Sequence, residues 1–279
     1  MKEKLTIGFS TCPNDTFIFD AIVNGKIECD FDFEVLLGDV QELNELAFQG
    51  KLDITKLSYK AFAFVSDQYQ LLNSGSALGR NCGPLVITRS DSSLTIEDLA
   101  EATIATPGRY TTADLLLSYA CPNANRREEL LFSQIEDAVI NGDVDAGLII
   151  HENRFTYQDK GLKKLIDLGE HWENGTGNMI PLGGIAIKRA LPEEVKKAVD
   201  RLISSSVEYA WNNPKEVMDY VGLHAQEMSR DVMQKHIDLY VNEYSVDLGE
   251  AGRAAVKHLY QKAALQEGFP SIVEPVFVG

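Results

Sequence analysis

The chain has 279 residues, of which 44% are hydrophobic, and it carries a formal net charge of -16 at pH 7. This length suits two modest α/β domains better than one. The negative charge argues against nucleic acid and anionic membrane surfaces as partners, because contacts to phosphate need a basic face, and it favours a small molecule. The first residues, MKEKLTIGFSTCPND, hold only a short apolar run, so we expect neither a secretory signal nor a membrane span, and we expect a cytoplasmic protein.

The cysteines give no metal or disulfide pattern. Cys12, Cys29, Cys82 and Cys121 are scattered without the CxxC or Cys/His spacing of a zinc site. In a reducing compartment structural disulfides are not expected either. We therefore predict no metal site, and we interpret Cys12 as a small buried filler, not a nucleophile.

The first part of the chain alternates between strand-like and helix-like segments. In chain order they are a strand at 5–10, a helix from Thr16, a strand at 31–37, a helix at 40–49, a strand at 54–58 and a helix from Tyr59. This βαβ alternation predicts a mainly parallel sheet. Two further strands are predicted at 69–74 and 83–88.

A second α/β unit follows, and the chain then returns to the first. The predicted elements are a helix at 96–100, a strand at 103–106, helices from Thr111 and Ile135, and strands at 129–132, 146–150 and 185–187, with only helices after Pro192. The pattern predicts two lobes, the first formed by 1–87 and 187–279 and the second by 88–186. In such folds the ligand binds in the cleft between the lobes. Gly183 and Gly184, beside one crossing, serve either as hinges or as a tight packing point.

The first candidate site segment is GFSTCPNDTF, residues 8–17. An apolar strand runs into a proline-kinked loop that opens a helix, and Asn14 or Asp15 can cap a helix beginning at Thr16. The loop is expected to point unpaired backbone N–H groups outward, as an anion site does. The alternative is an ordinary turn in which these two residues only cap.

Two more segments place polar residues between a strand and a helix. In DITKLSY, residues 53–59, Ser58 is placed to cap a helix, while Lys56 adds a cation at the edge where parallel sheets bind ligands. In TPGRYTTAD, residues 106–114, two threonine hydroxyls and the free N–H groups of a helix start favour a bound carboxylate or phosphate.

The fourth segment, LIIHENRFTY at 148–157, carries the strongest catalytic candidate. An apolar strand delivers His151 at its end, and histidine titrates in the range that a general base needs near neutral pH. Glu152 either tunes this histidine or is a solvated neighbour. The remaining histidines, at 171, 224, 236 and 258, are interpreted as structural or surface residues.

Common catalytic motifs are missing from the sequence. It contains no GxGxxG, GxxxxGK[ST], HExxH or GxSxG pattern. This argues against dinucleotide and nucleoside triphosphate binding, zinc proteolysis and serine hydrolysis.

Taken together, the segments FSTCPNDTFIFDA, TKLSY, GRYTTADLLLS and IIHENRFTY resemble the 1,4-dihydroxy-6-naphthoate synthases of the futalosine route to menaquinone. The resemblance spans most of the chain, and it implies an α/β, two-lobed fold like that of type II periplasmic binding proteins. Members of this family convert cyclic dehypoxanthine futalosine to 1,4-dihydroxy-6-naphthoate and release dihydroxyacetone, without a metal or an organic cofactor. The resemblance therefore implies a carbon–carbon lyase that binds a small carboxylate.

The same resemblance implies roles for particular residues. His151 corresponds to the proton acceptor. The implied substrate contacts are Lys56, Leu57, Ser58, Thr111 and Thr112, and further possible contacts are Asn14, Asp15, Arg109 and Tyr157.

Two other functions stay open from the sequence. One is a non-catalytic protein of the same fold that binds a small carboxylate. The other is the related chorismate dehydratase step of the same pathway. The sequence gives no oligomeric state.

Overall fold

The computed structural model describes residues 2–225 and 229–279. Its strands are β1 (Glu3–Phe9), β2 (Phe31–Leu37), β3 (Ile54–Ser58), β4 (Tyr69–Leu71), β5 (Ala77–Gly79), β6 (Leu85–Arg89), β7 (Ile104–Thr106), β8 (Arg127–Glu129), β9 (Ala146–Ile149), β10 (Leu162–Asp167) and β11 (Ile180–Lys188).

The α-helices in the same residues are α1 (Pro13–Val23), α2 (Val40–Phe48), α3 (Tyr59–Val65), α4 (Thr112–Ala120), α5 (Ile135–Asn141), α6 (Asn153–Thr156), α7 (Leu168–Thr176), α8 (Glu193–Asn212), α9 (Pro214–His224), α10 (Arg230–Tyr240), α11 (Glu243–Val246) and α12 (Gly249–Ala263). Short 3-10 turns lie at Glu97–Ala100, Phe132–Gln134 and Tyr157–Lys160. No helix in the described ranges is both long enough and apolar enough to cross a bilayer.

The chain divides into two compact units. The first contains Met1–Gly79 and Pro181–Gly279, and the second contains Arg80–Ile180. Both divisions fall earlier than the predicted ones, which lay at 87/88 and 186/187. The reason at the first division is that β6 pairs with β9 and β10, so this strand belongs to the sheet of the second unit.

The sheet of the first unit has the order β2-β1-β3-β11-β4, and β5 pairs with β11. β1 runs parallel to β2 and β3, as the βαβ pattern predicts. β11 runs antiparallel to β3 and β4, so the sheet is mixed. The prediction of a mainly parallel sheet is therefore wrong for the β3-β11-β4 part of it. The cause is that the chain comes into β11 directly from the second unit. A parallel neighbour would require a helical crossover within the same unit.

Gly183 and Gly184 lie within β11 at a point of close packing. A Cβ on Gly183 would lie 2.8 Å from the Leu57 carbonyl oxygen, and one on Gly184 would lie 3.0 Å from the Tyr59 hydroxyl. These distances are shorter than ordinary van der Waals contact. The structure thus favours the tight packing point over the hinge.

The core of the first unit lies between this sheet and the helices packed on it. The apolar side chains of β1 meet α1, and the rings of Phe9 and Phe19 stack with their centroids 4.3 Å apart. Val207 of α8 and Ile237 of α10 belong to the same buried cluster. Helices from both ends of the chain therefore pack on one sheet.

The second unit contains a sheet of order β10-β6-β9-β7-β8. β7 is parallel to β8 and β9, whereas β6 is antiparallel to β9 and β10. The core packs Ile135 and Val139 of α5 against Leu85 and Ile87 of β6. Both units are thus α/β, as predicted, with mixed sheets.

The last residues of the chain cover the edge of the first sheet. Leu71 N in β4 donates a hydrogen bond to the carbonyl oxygen of Val276 (2.9 Å), and Val278 N donates to that of Leu71 (2.9 Å). The side chains of Val276, Phe277 and Val278 are buried. Such cover removes an unpaired edge that would otherwise invite association.

We predict that deletion of residues 276–279 destabilises the first unit by at least about 3 kcal/mol, because burying each such apolar side chain contributes roughly 1.5–3 kcal/mol. Urea denaturation followed by circular dichroism measures this change. Val273→Ser, at a half-exposed side chain just before the segment, is the control and should stay within about 0.5 kcal/mol of wild type. An unchanged midpoint for the deletion would show that the segment does not stabilise the sheet.

Candidate functional site

The loop after β1 differs from its prediction in one respect. α1 begins at Pro13 and not at Thr16, with Cys12 at the N-cap position. Proline suits the first helical position because its missing N–H would have no partner there and its φ is already helical. Asn14 and Asp15 consequently lie inside the first turn, and the expectation that they cap the helix is wrong.

The Asp15 carboxylate instead accepts hydrogen bonds from two residues and forms an ion pair with a third. Its Oδ2 accepts from the backbone N (3.1 Å) and the hydroxyl (2.7 Å) of Ser10. Its Oδ1 accepts from Asn14 Nδ2 (2.8 Å) and forms an ion pair with Lys56 Nζ (3.0 Å). All four residues are buried. A carboxylate with this many donors is held in one orientation.

Lys56 is therefore a buried cation that is paired with a carboxylate. It lies in β3 with 6% of its surface exposed, and its Nζ also donates to the carbonyl oxygen of Gly75 (2.9 Å). Gly75 has φ +76°, and a Cβ there would lie 2.0 Å from Ile185 Cδ1. Only glycine fits this turn, which fixes where the carbonyl group points.

The two residues after Lys56 are also buried. Ser58 occupies the N-cap position of α3, but its hydroxyl does not cap the helix. Its backbone N donates to Asn44 Oδ1 (3.1 Å), and Asn44 Nδ2 donates to its hydroxyl oxygen (3.5 Å). Leu57 pairs with Gly184 in the sheet. Asn44, which α2 contributes, carries no signal in the sequence.

In the second unit, α4 starts as predicted. Thr111 is its N-cap, and the threonine hydroxyl accepts from Asp114 N (3.2 Å) and donates to the carbonyl oxygen of Gly108 (2.7 Å). Thr112 follows as the first helical residue and is buried. Gly108 has φ +128°, which a side chain would disfavour.

The first turn of α4 also holds a carboxylate, and it is neutralised. Asp114 Oδ1 forms an ion pair with Arg127 Nη1 at 2.6 Å, largely out of solvent. This pairing matters for an anion site, since an unpaired carboxylate there would repel a bound anion. Arg109, in contrast, is exposed, and its Nε lies 3.7 Å from Oε1 of Glu129.

His151 lies two residues beyond β9, at the end of an apolar strand as predicted. Its φ is +58°, an uncommon backbone conformation for a residue other than glycine. Its ring packs edge-on against Phe132, with the centroids 5.0 Å apart, and it is partly accessible. Strained backbone of this kind concentrates at functional sites, which supports the choice of His151.

Three residues that follow His151 in the chain, Glu152, Arg154 and Tyr157, are all buried or partly buried. Glu152 is 5% exposed, so the interpretation as a solvated neighbour is wrong. Arg154 donates to the carbonyl oxygen of Gly83 and to Asp167 Oδ2 (3.1 Å for the latter), and Tyr157 belongs to the core of this unit. Arg154 and Tyr157 therefore hold the second unit together.

The thiols are buried at three of the four cysteines, and none of the four forms a disulfide. Burial raises the pKa of the Cys82 thiol to about 12, so it stays protonated at neutral pH. Cys12 is 4% exposed, which agrees with a filler role.

Besides Asn44, sequence reasoning missed His236 of the first unit. His236 in α10 is fully buried, and its Nε2 lies 2.9 Å from Asn14 Oδ1. The two residues are 222 positions apart, so no local pattern could have linked them.

Comparisons with known proteins agree on one family. A family model described as menaquinone biosynthesis matches residues 5–265. A 1,4-dihydroxy-6-naphthoate synthase of Thermus thermophilus is 45% identical over 277 residues, which cover 99% of this chain and 100% of that protein. The corresponding synthase of Streptomyces coelicolor is 42% identical over 275 residues, covering 97% and 96%.

Solved structures show the same fold. A crystal structure of an Archaeoglobus fulgidus protein matches with a TM-score of 0.88 and 35% identity, covering 94% of this chain and 97% of that one. The periplasmic aliphatic sulphonate binding protein of Escherichia coli matches with a TM-score of 0.68 at 13% identity, covering 95% and 87%. The second likeness is one of fold alone, and it confirms the predicted binding-protein-like architecture.

We predict that Asp15→Ala destabilises the protein by about 3–5 kcal/mol, because it leaves the Lys56 ammonium buried without its counter-charge. Chemical denaturation measures the loss. The control is Asp219→Ala, which breaks an exposed pair with Arg230 and should cost at most about 1 kcal/mol. Equal effects for the two variants would contradict the view of Asp15 and Lys56 as a buried pair.

Proposed function

This chain belongs to the menaquinone-biosynthesis family that contains the 1,4-dihydroxy-6-naphthoate synthases, and on that basis we propose that it converts cyclic dehypoxanthine futalosine to 1,4-dihydroxy-6-naphthoate. The reaction releases dihydroxyacetone and makes the protein a carbon–carbon lyase. The observation that carries this proposal is the 42–45% identity to two named synthases over nearly the whole chain. A biosynthetic role of this kind also favours the cytoplasm as its location.

The chemistry needs a base and a place for negative charge. In a retro-aldol step, a base removes a hydroxyl proton, the carbon–oxygen bond becomes a carbonyl, and the adjacent carbon–carbon bond breaks. The electron pair moves into the ring system that becomes aromatic. Aromatisation supplies the driving force, and the protein has to place the proton acceptor and stabilise oxyanions.

His151 is the residue proposed as the base. A neutral imidazole accepts a proton near neutral pH, and the end of β9 holds this ring where it is partly accessible. Its positive φ turns the chain sharply after the strand, and Phe132 packs against one side of the ring. These contacts limit the ring to few orientations, which a general base requires.

The start of α4 is proposed to bind the carboxylate or a developing oxyanion. Its first-turn N–H groups and its dipole favour negative charge, while Arg127 cancels the charge of Asp114. In the first unit, Lys56 and Ser58 are the proposed contacts. Lys56 is held by Asp15 and Gly75, so it offers its charge from a fixed position.

Neither alternative function is better supported. The likeness to sulphonate binding proteins is at 13–15% identity and carries the fold only. The two curated relatives reported above are both named as 1,4-dihydroxy-6-naphthoate synthases, and neither is named as a chorismate dehydratase.

We predict that His151→Ala abolishes turnover of cyclic dehypoxanthine futalosine while substrate affinity stays within roughly tenfold, equivalent to about 1.4 kcal/mol. Mass spectrometry of product and calorimetric binding measure the two quantities. His171→Ala, at an exposed histidine of the same unit, is the matched control and should turn over like wild type. Product formation by His151→Ala at the wild-type rate would remove the residue from its role.

We predict that Thr111→Val raises KM about tenfold, because it removes the hydroxyl that caps α4 and orders the proposed anion site. Steady-state kinetics measure the change. Thr111→Ser keeps the hydroxyl and should restore a KM near that of wild type. If valine and serine behave alike, the anion binds elsewhere.

A further inference from the structure

A line of buried hydrogen bonds runs from α10 to the Asp15 carboxylate. His236, which is 0% exposed, lies with its Nε2 2.9 Å from Asn14 Oδ1. An amide oxygen can only accept a hydrogen bond, so His236 Nε2 carries the proton and donates it. The tautomer of this histidine is thus set by Asn14.

The other end of the Asn14 amide is also engaged. Its Nδ2 donates to Asp15 Oδ1 at 2.8 Å. If the amide were turned over, its oxygen would face the Asp15 carboxylate and its NH2 would face the His236 donor, and both contacts would be repulsive. With its proton on Nε2, His236 therefore holds the amide in the orientation that gives Asp15 a donor.

Asp15 Oδ1 is shared between this amide and Lys56 Nζ, which lies 3.0 Å away. The carboxylate can stay in its orientation only while its donors stay in theirs. Turning the Asn14 amide removes one of the two donors on Oδ1, so it weakens the hold on the acceptor that pairs with the lysine ammonium.

The surroundings of His236 make a filling role a poor explanation. Its neighbours on α10, Met233 and Ile237, are buried apolar residues of the core, and its ring lies 4.6 Å from that of Tyr240. An apolar side chain of similar size would fill this space without the cost of desolvating an imidazole. The contact to Asn14 is one that histidine makes and phenylalanine cannot make.

We propose that His236 is a positioning residue that acts through Asn14 and Asp15 to fix the Lys56 ammonium for the substrate. This inference rests on the proposed function, from which the contact between Lys56 and the substrate comes. It assigns Asn14 to the support of the site and not to direct contact with the ligand.

The test compares two substitutions of His236 with a control on the same helix. His236→Phe keeps a ring and removes the donor, whereas His236→Gln keeps an N–H donor. Since small displacements of a positioned group can cost up to roughly 100-fold, we expect His236→Phe to lower kcat/KM for cyclic dehypoxanthine futalosine by about 10- to 100-fold. His236→Gln should recover at least a third of the wild-type value.

The control, Ile237→Ala, removes buried apolar volume from the next residue and leaves the hydrogen bonds in place. It should lower the melting temperature at least as much as His236→Phe while kcat/KM stays within about threefold of wild type. A loss of kcat/KM in Ile237→Ala equal to that in His236→Phe would overturn the proposal, since general loosening of α10 would then explain both.

A double-mutant cycle tests the line itself. If His236 acts through Asn14, the double variant with His236→Phe and Asn14→Ala should be no worse than one of the single variants. Its kcat/KM should equal the lower of the two single-variant values. Losses that multiply would show that the two residues act separately and would overturn the proposal.

A readout without substrate separates this inference from the proposed function. Nitrogen-15 NMR of the histidine rings in the wild-type protein should show His236 protonated on Nε2, with that signal perturbed in Asn14→Ala. A proton on Nδ1 in wild type would overturn the proposal whatever the activity. If wild type makes no dihydroxynaphthoate, the proposed function fails, and with it the role of His236 toward this substrate.

Discussion

The ion pair between Asp15 and Lys56 ties together three parts of the chain that are far apart in sequence. It joins the first turn of α1 to β3, and through the lysine it reaches the turn at Gly75. A buried pair of this kind is not a large source of stability, because removing two charges from water offsets most of their attraction. Its effect is on geometry, since the only low-energy arrangement is the one in which every donor and acceptor is used.

Several local features are consequences of that requirement. Ser10 has to turn its backbone N and its hydroxyl toward the carboxylate, so the chain leaves β1 in one direction only. Gly75 has to adopt a positive φ so that its carbonyl oxygen meets the ammonium. Close packing against Ile185 excludes any side chain at that position. A loop, a turn and a strand are thus adjusted to one pair of charges.

The sequence predicted those parts of the fold and site that depend on local chemistry. The α/β alternation, the Thr111 cap of α4 and the strand that ends before His151 all follow from neighbours within a few residues. The direction of β11 and the partner of β6 do not, because they depend on which distant strand lies alongside. Asn14 and Asp15 do not cap α1, because this helix already begins at Pro13, and the roles that they have instead depend on distant residues. Their partners, His236 and Lys56, lie far along the chain.

The arrangement of the last residues on the edge of β4 has a consequence for biosynthesis of the protein. The second unit is one continuous stretch of sequence, so it can fold while the ribosome is still adding α8 and the helices after it. The sheet of the first unit lacks β11 until residue 188 is made, and its edge stays open until residues 276–278 emerge. Strands β1, β2 and β3 are therefore made well before the segments that complete their sheet, and this sheet stays incomplete during translation for longer than that of the second unit.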